Sequence, residues 1–192
     1  EGTIFIAGAG VQWLRDKIKF ISKASDTENI AKSLSSNSGI YLVPAFTGLG
    51  APYWDASARG LLSGLTRDTG PKEIIRATIE SVAYQTNDLF EAMKNDGLKP
   101  KLIKVDGGMV LNNWFSQFLS DTINAKVLRP KVNETTALGA AFMAGLQIGV
   151  YKSLKDIAKN WQVDKSFIPK IKNSERKILI NGWNKAIKKT LA

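Results

Sequence analysis

The joint at Asp106-Gly107-Gly108 constrains the fold of this chain more than any other feature. The apolar run Leu102–Val105 precedes it and predicts a buried strand, and the apolar residues after it recur at helical spacing: Trp114, Phe115, Phe118 and Leu119. Glycine has no Cβ, so the backbone at such a joint can approach a ligand closely, and the helix that follows points its amides at an anion. The joint is therefore typical of a phosphate or nucleotide site, although plain tight turns have the same order.

A second joint of this kind opens the chain, where Ala7-Gly8-Ala9-Gly10 separates a predicted strand over Thr3–Ile6 from a predicted helix over residues 11–20. Further strands are predicted at 40–43, 61–65 and 126–129, and further helices at 26–34, 71–96, 135–148 and 175–190. The predicted N-caps are Asp26 or Thr27 and Thr135 or Thr136. The alternation of strands and helices predicts an α/β fold with parallel strands joined by helical crossovers.

Two residue types are absent from the 192 residues, and their absence excludes several chemistries. Without cysteine there is no disulfide, zinc–thiolate site or thiol nucleophile, and without histidine there is no Ser-His-Asp triad or histidine metal site. Acid–base chemistry would have to come from carboxylates, Lys, Tyr or bound water. No apolar run is long enough to span a membrane, and the first residues lack the basic start of a signal peptide, so we expect a cytoplasmic protein without a membrane partner.

The net charge of +10 has two interpretations. A polyanion such as nucleic acid would be attracted by it. Alternatively, the lysines simply solvate the surface, and their dispersal along the chain favours this second interpretation. We therefore expect no nucleic-acid partner.

Residues 43–60 carry the most specific pattern in the chain. They read Val-Pro-Ala-Phe-Thr-Gly-Leu-Gly-Ala-Pro-Tyr-Trp-Asp, followed three residues later by Ala58-Arg59-Gly60. This segment resembles the FGGY carbohydrate kinases, and within that family it is most similar to the members that phosphorylate glycerol. A spaced signature of the family follows it: Gly60, Leu62, Gly64, Leu65, Glu73, Ile74, Ala77, Thr78, Ile79 and Glu80. The resemblance extends over essentially the whole chain.

The resemblance implies an RNase H-like fold of the actin-like ATPase superfamily, with a mixed sheet flanked by helices. Residues 1–192 would be a partial C-terminal, ATP-side domain. The family's N-terminal domain would be missing, together with the opening strands of this domain and their phosphate-binding turn. The family's catalytic aspartate also has no match here, so the resemblance implies no catalytic residue in this chain.

Four ATP-binding residues are implied by the resemblance: Gly8, Gln12, Gly108 and Asn112. Alternatives remain for two of them, because Asn112 could be a plain N-cap and Gln12 a surface helix residue. Asp106 could be a base or a Mg²⁺ ligand, but we interpret it as a carboxylate that stabilises the turn before two glycines. We predict no metal-binding residue in the chain.

By the same resemblance, the parent protein would transfer the γ-phosphoryl group of ATP to glycerol, with Mg²⁺, giving glycerol 3-phosphate. The chain alone is expected to be inactive. The alternatives are a kinase for another polyol or sugar, an inactive truncated interaction domain, and, more remotely, a nucleic-acid-binding module on the RNase H-like fold. Missing strands would leave the edges at Thr3–Ile6 and Leu102–Val105 unpaired, so we expect a homo-oligomer.

Overall fold

The computed structural model describes residues 3–192, which form two small sheets and seven α-helices. The strands are β1 (Tyr41–Val43), β2 (Leu61–Ser63), β3 (Leu102–Lys104), β4 (Lys126–Pro130) and β5 (Val163–Phe167). The helices are α1 (Gly8–Asp16), α2 (Asp26–Ser33), α3 (Pro71–Asn95), α4 (Asn113–Ile123), α5 (Thr135–Gln147), α6 (Leu154–Ala158) and α7 (Asn173–Thr190). A 3-10 turn, Gly108–Leu111, lies between β3 and α4.

The strands pair in two separate groups. β1 and β2 form an antiparallel pair, and β4 lies between β3 and β5 in a three-stranded sheet. β3 and β4 are parallel and are joined by the α4 crossover, as the sequence predicts, whereas β5 runs antiparallel to β4. Within residues 3–192 the expected mixed sheet is thus small, and β3 pairs on one side only.

Helix α3 is the central element of the fold. Pro71 occupies its first turn, where a missing N–H costs nothing, and the Glu73 carboxylate accepts a hydrogen bond from the backbone N of Gly70 at 2.9 Å. The helix packs against α1, α2, α4 and β1. Its 25 residues therefore join the segments that contain both glycine joints.

The largest cluster of the core includes Trp183 on α7. Trp183 is fully buried and stacks on Tyr84 of α3 with ring centroids 5.3 Å apart. Gly182 lies directly against the ring of Tyr41, so that a Cβ at this position would overlap the ring. α7 can therefore approach β1 this closely only because residue 182 has no side chain.

The Asp88 carboxylate joins three segments in this part of the core. Its Oδ2 accepts hydrogen bonds from Trp183 Nε1 at 2.7 Å and from the Tyr53 hydroxyl at 2.9 Å. Tyr53 belongs to the apolar loop over 44–60, which the sequence predicts to fold back on the body. The structure confirms that expectation for Tyr53, whereas the neighbouring Trp54 is exposed.

The Asp88 carboxyl should make stability depend on pH. Burial raises its pKa to about 6, even though the hydrogen bonds from Trp183 and Tyr53 favour the ionised form. This folded pKa exceeds the unfolded value of about 3.9, so protonation of Asp88 stabilises the folded state. That stabilisation is fully present below about pH 4 and is lost as the pH rises through about 6. We expect this group to lower the free energy of unfolding by up to about 3 kcal/mol between pH 4 and pH 7.

Urea unfolding at a series of pH values would measure this effect as the difference between the wild-type protein and Asp88→Asn. The amide keeps an acceptor for both donors but does not titrate. Identical pH profiles for the two proteins would contradict the assignment to Asp88.

The predicted strand over Thr3–Ile6 is wrong. Its β-branched alternation favours extended backbone, but no other described strand lies beside it. Instead, Ala51 N donates to the carbonyl of Thr3 at 3.1 Å, and Gln85 Nε2 donates to the carbonyl of Ile6 at 3.3 Å. The segment is irregular coil with a bend at Phe5, and it is held by a loop and by α3.

Other boundaries also differ from the prediction. α1 begins at Gly8 instead of residue 11, and the chain leaves the helix before Lys19, whose φ is 59°. The predicted caps of α2 and α5 are wrong, because Ser25 and Glu134 occupy the N-cap positions without a side-chain capping bond. β5 and α6 are not predicted: each is only five residues long, too short for a clear period, and β5 forms through its pairing with β4.

Candidate functional site

A cavity of about 480 Å³ lies between the two glycine joints. All four residues that the sequence analysis selects line it: Gly8, Gln12, Gly108 and Asn112. They come from two segments about 100 residues apart in the sequence, α1 and the 3-10 turn with its following residue. Residues of α2 and the turn before it form a third wall, and Ile79 of α3 also lines the cavity.

Helix α1 presents its N-terminus to this cavity. Gly8 is its first residue, and the N-cap, Ala7, provides no side-chain hydrogen bond, so the N–H groups of Gly8 and Ala9 keep unused donor capacity, whereas Gly10 N donates to the carbonyl of Ala7 at 3.0 Å. Gln12 follows one turn later on the same face and is exposed, with its amide free to reach a ligand. Unused N–H groups and the helix dipole together favour an anion at this end of the cavity.

Gly8 and Gly108 both leave open space where a side chain would stand. A Cβ built on either residue has no heavy atom within 4 Å. By contrast, a Cβ on Gly10, in the same helix, would lie 3.1 Å from Cγ2 of Thr78. Packing of the protein therefore explains the glycine at position 10, whereas the glycines at 8 and 108 leave room for something that enters the cavity.

The buried side chain of Arg129 holds the 3-10 turn in place through hydrogen bonds to its backbone. Arg129 of β4 donates from Nη1 to the carbonyls of Val110 at 2.9 Å and Leu111 at 3.2 Å. Its Nε is bonded to Asp164 at 2.7 Å. These bonds fix the backbone between Gly108 and Asn112, so that both residues keep a constant position at the cavity.

Asn112 has two structural hydrogen bonds at the edge of the cavity. Its Oδ1 accepts from the backbone N of Phe115 at 2.9 Å, which makes it the N-cap of α4. Its Nδ2 donates to the hydroxyl of Thr27 on α2 at 3.2 Å. Asn112 is therefore the N-cap of α4, and one Nδ2 proton and one Oδ1 lone pair remain for a ligand.

Glu28 gives the cavity a negatively charged wall. Burial alone would raise the pKa of its carboxyl, but hydrogen bonds from Lys32 and Asn113 outweigh burial and lower that pKa below its usual value. The carboxylate is thus ionised at neutral pH, and the Lys32 ammonium is paired with it. An anion would be favoured at the Gly8 end of the cavity, and Ile79, Met109 and Leu111 supply apolar contacts in its lining.

Asp106 does not have the role that its position suggests. It is exposed, and its carboxylate makes no hydrogen bond within the described residues, so its interpretation as a turn-stabilising group is wrong. No group of three acidic residues in residues 3–192 could hold a metal ion. Similarly, no helix in that range is long and apolar enough to cross a membrane.

Sequence reasoning missed the α2 wall of the cavity, in particular Thr27 and Glu28. The sequence shows α2 only as a short polar helix, and nothing in it indicates contact with residues about 85 positions later. A Thr and a Glu in the first turn of a helix are ordinary helix-start residues, so no local signal could have found them.

An α/β fold with an open cavity between two glycine joints is the architecture of a carbohydrate kinase domain. Residues 1–148 match the C-terminal domain of the FGGY family of carbohydrate kinases, and the chain belongs to that family. The family resemblance given by residues 43–60 is therefore confirmed.

Several of the similar proteins are glycerol kinases, and they are much longer than this chain. Glycerol kinase 1 of Pseudomonas aeruginosa is 54% identical over 98% of the chain, and glycerol kinase of Ectopseudomonas mendocina is 56% identical over 98%. The crystal structure of Plasmodium falciparum glycerol kinase with ADP superposes with a TM-score of 0.87 at 38% identity, over 98% of the chain. Xylulose kinase from Lactobacillus acidophilus gives a TM-score of 0.79 at 25% identity over 97%. The chain spans 38% of the length of each.

Proposed function

We propose that this chain is the ATP-binding domain of a glycerol kinase, which transfers the γ-phosphoryl group of ATP to glycerol and gives glycerol 3-phosphate. The observation that carries the proposal is that Gly8, Gln12, Gly108 and Asn112, from two distant segments, line one cavity. Several relatives that match essentially the whole chain are named glycerol kinases, and a similar solved structure is of a glycerol kinase with ADP.

The cavity offers polar N–H donors and apolar side chains, as a nucleotide with its phosphates and base requires. The N–H groups of Gly8 and Ala9 at the start of α1 suit the phosphates, and the apolar side chains of the lining, among them Met109 and Leu111, suit a base. Phosphoryl transfer depends mainly on positioning and charge stabilisation, and this domain would supply the positioning of ATP.

Glycerol and the group that accepts its proton would belong to the remaining length of the relatives, which this chain does not match. We propose Mg²⁺ as the metal that accompanies ATP, because Mg²⁺ usually keeps several waters and binds largely through substrate phosphates. The described residues offer no acidic cluster that fits it, so we assign it no ligand in this chain. We propose that the enzyme is cytoplasmic and that the chain by itself is inactive.

We also propose that the chain forms a homo-oligomer. β3 has one unpaired side within residues 3–192, and its Leu102 is exposed. An edge of this kind can pair with a second chain. Sedimentation equilibrium at micromolar concentration tests this proposal, and a monomer would contradict it.

Gly108→Val should abolish most nucleotide binding while leaving the fold intact. A Cβ at this position meets no protein atom within 4 Å, and the branched side chain would occupy the open space in which we propose that the backbone meets the ligand. We expect the affinity for ADP, measured by isothermal titration calorimetry, to fall by at least about 100-fold, equivalent to about 2.7 kcal/mol.

Gly10→Ala is the matched control, because its Cβ would contact Thr78 and not the cavity. This variant should change the unfolding temperature more than the affinity. Wild-type affinity in Gly108→Val would refute the assignment of the cavity to the nucleotide.

A further inference from the structure

We propose that Thr27 is a positioning residue for the nucleotide: its hydroxyl fixes the amide of Asn112 and thereby sets a preference for adenine over guanine. This inference rests on the proposed function, because it assumes that the cavity binds ATP. It concerns α2, an element for which the sequence gives no indication of a functional role.

A chain of two hydrogen bonds connects Asn112 to the turn before α2. Asn112 Nδ2 donates to Thr27 Oγ1 at 3.2 Å, and Thr27 Oγ1 in turn donates to the carbonyl of Ala24 at 2.7 Å. Since the hydroxyl has a single proton and gives it to Ala24, it can only accept from Asn112. Thr27 is almost completely buried, so water cannot easily replace it in this role.

The orientation of the Asn112 amide is consequently determined from both sides. Phe115 N requires an oxygen, and the Thr27 hydroxyl requires an N–H. The amide therefore presents its remaining lone pair and its remaining proton in a fixed order. This order matches the adjacent N6–H donor and ring-nitrogen acceptor of adenine, whereas guanine presents two acceptors, O6 and N7, at the corresponding edge.

A second pair of bonds holds α2 against α4 independently of Thr27. The Glu28 carboxylate accepts from the backbone N of Asn113 at 3.2 Å and from Asn113 Nδ2 at 3.3 Å. Loss of the Thr27 hydroxyl also removes its bond to the Ala24 carbonyl, but that carbonyl still accepts from the backbone N of Thr27 at 3.3 Å. We therefore expect α2 to stay in place and only the Nδ2 side of the Asn112 amide to lose its partner. This separation makes the role of Thr27 testable without loss of the fold.

The test is steady-state kinetics of the full-length kinase that the proposed function implies. Thr27→Val, which keeps the shape and removes the hydroxyl, should raise KM for ATP about tenfold, in line with the loss of one hydrogen bond. The values of kcat and KM for glycerol should stay within about twofold. The ratio of kcat/KM for ATP to that for GTP should fall about tenfold, because guanine gains nothing from the fixed amide.

Three further variants separate positioning from a structural effect. Thr27→Ser should restore wild-type values, and Thr86→Val should change none of them, because the Thr86 hydroxyl bonds only the Val82 carbonyl of its own helix. In the background of Asn112→Ala, Thr27→Val should cause no further rise in KM for ATP, since it acts through Asn112.

The outcomes distinguish this inference from the proposed function. A wild-type enzyme that neither binds ADP nor phosphorylates glycerol refutes the proposed function. An active wild-type enzyme refutes only the role of Thr27 if Thr27→Val has wild-type kinetics, if it weakens ATP and GTP equally, or if its effect persists in the Asn112→Ala background.

Discussion

Arg76→Met is expected to lower the free energy of unfolding by about 3–5 kcal/mol, the usual cost of leaving a buried charge without its partner. Arg76 Nε donates to Glu80 Oε1 at 2.7 Å, and Nη1 donates to the carbonyl of Leu34 at 2.6 Å. Glu80 is fully buried, and burial raises the pKa of its carboxyl although Arg76 favours the ionised form. Without Arg76, only neutral groups such as the Tyr84 hydroxyl, at 3.0 Å, would remain to stabilise the carboxylate.

Chemical denaturation at neutral pH would measure this effect. The double variant Arg76→Met/Glu80→Gln is the control, and it should recover much of the lost stability because neither charge remains buried. If the single variant loses less than about 1 kcal/mol, typical of an exposed pair, the charge on Glu80 is not buried as the structure indicates.

Trp183→Ala should have an effect of similar size, about 3–5 kcal/mol, because it removes a fully buried indole and leaves a cavity in the largest core cluster. It also removes one of the two hydrogen-bond donors of Asp88. A buried carboxylate that loses a hydrogen-bond donor destabilises the folded state, and this lowers the free energy of unfolding further, beyond the loss of packing.

Trp183→Phe separates the two contributions, since it retains a ring against Tyr84 but has no N–H for Asp88. We expect a loss of about 1–3 kcal/mol for this variant at neutral pH, and a smaller loss at pH 4, where Asp88 is protonated. Thermal or urea unfolding of both variants gives the comparison. Equal losses for Ala and Phe would show that packing of the ring contributes little.

The long elements could be predicted from the sequence because local signals agree there. α3 has Pro71 at its start, Gly97 just beyond its end and apolar residues at helical spacing, and the structure places it at Pro71–Asn95. The cavity residues were found through two glycine joints and a family resemblance. The helix signals and the glycine joints need only residues that are close together in the sequence, and the resemblance draws on motifs along the whole chain.

The remaining features depend on contacts between distant residues. Thr3–Ile6 has the sequence of a strand but lies beside a loop and a helix, and β5 has the sequence of a loop but pairs with β4. Thr27 reaches Asn112 across 85 positions. A strand or a cavity wall of this kind is defined by its neighbours, which the local sequence does not reveal.

The empty space beside Gly8 and Gly108 has a consequence for how variation in this chain should be interpreted. A screen that selects only for abundance in the cell would accept side chains at both positions, since the folded protein has room for them, but would reject them at Gly182, where Tyr41 occupies the space. A screen that selects for growth through the enzyme would reject all three. The difference between the two screens would thus test, residue by residue, the surface that we propose contacts ATP, without a bound structure.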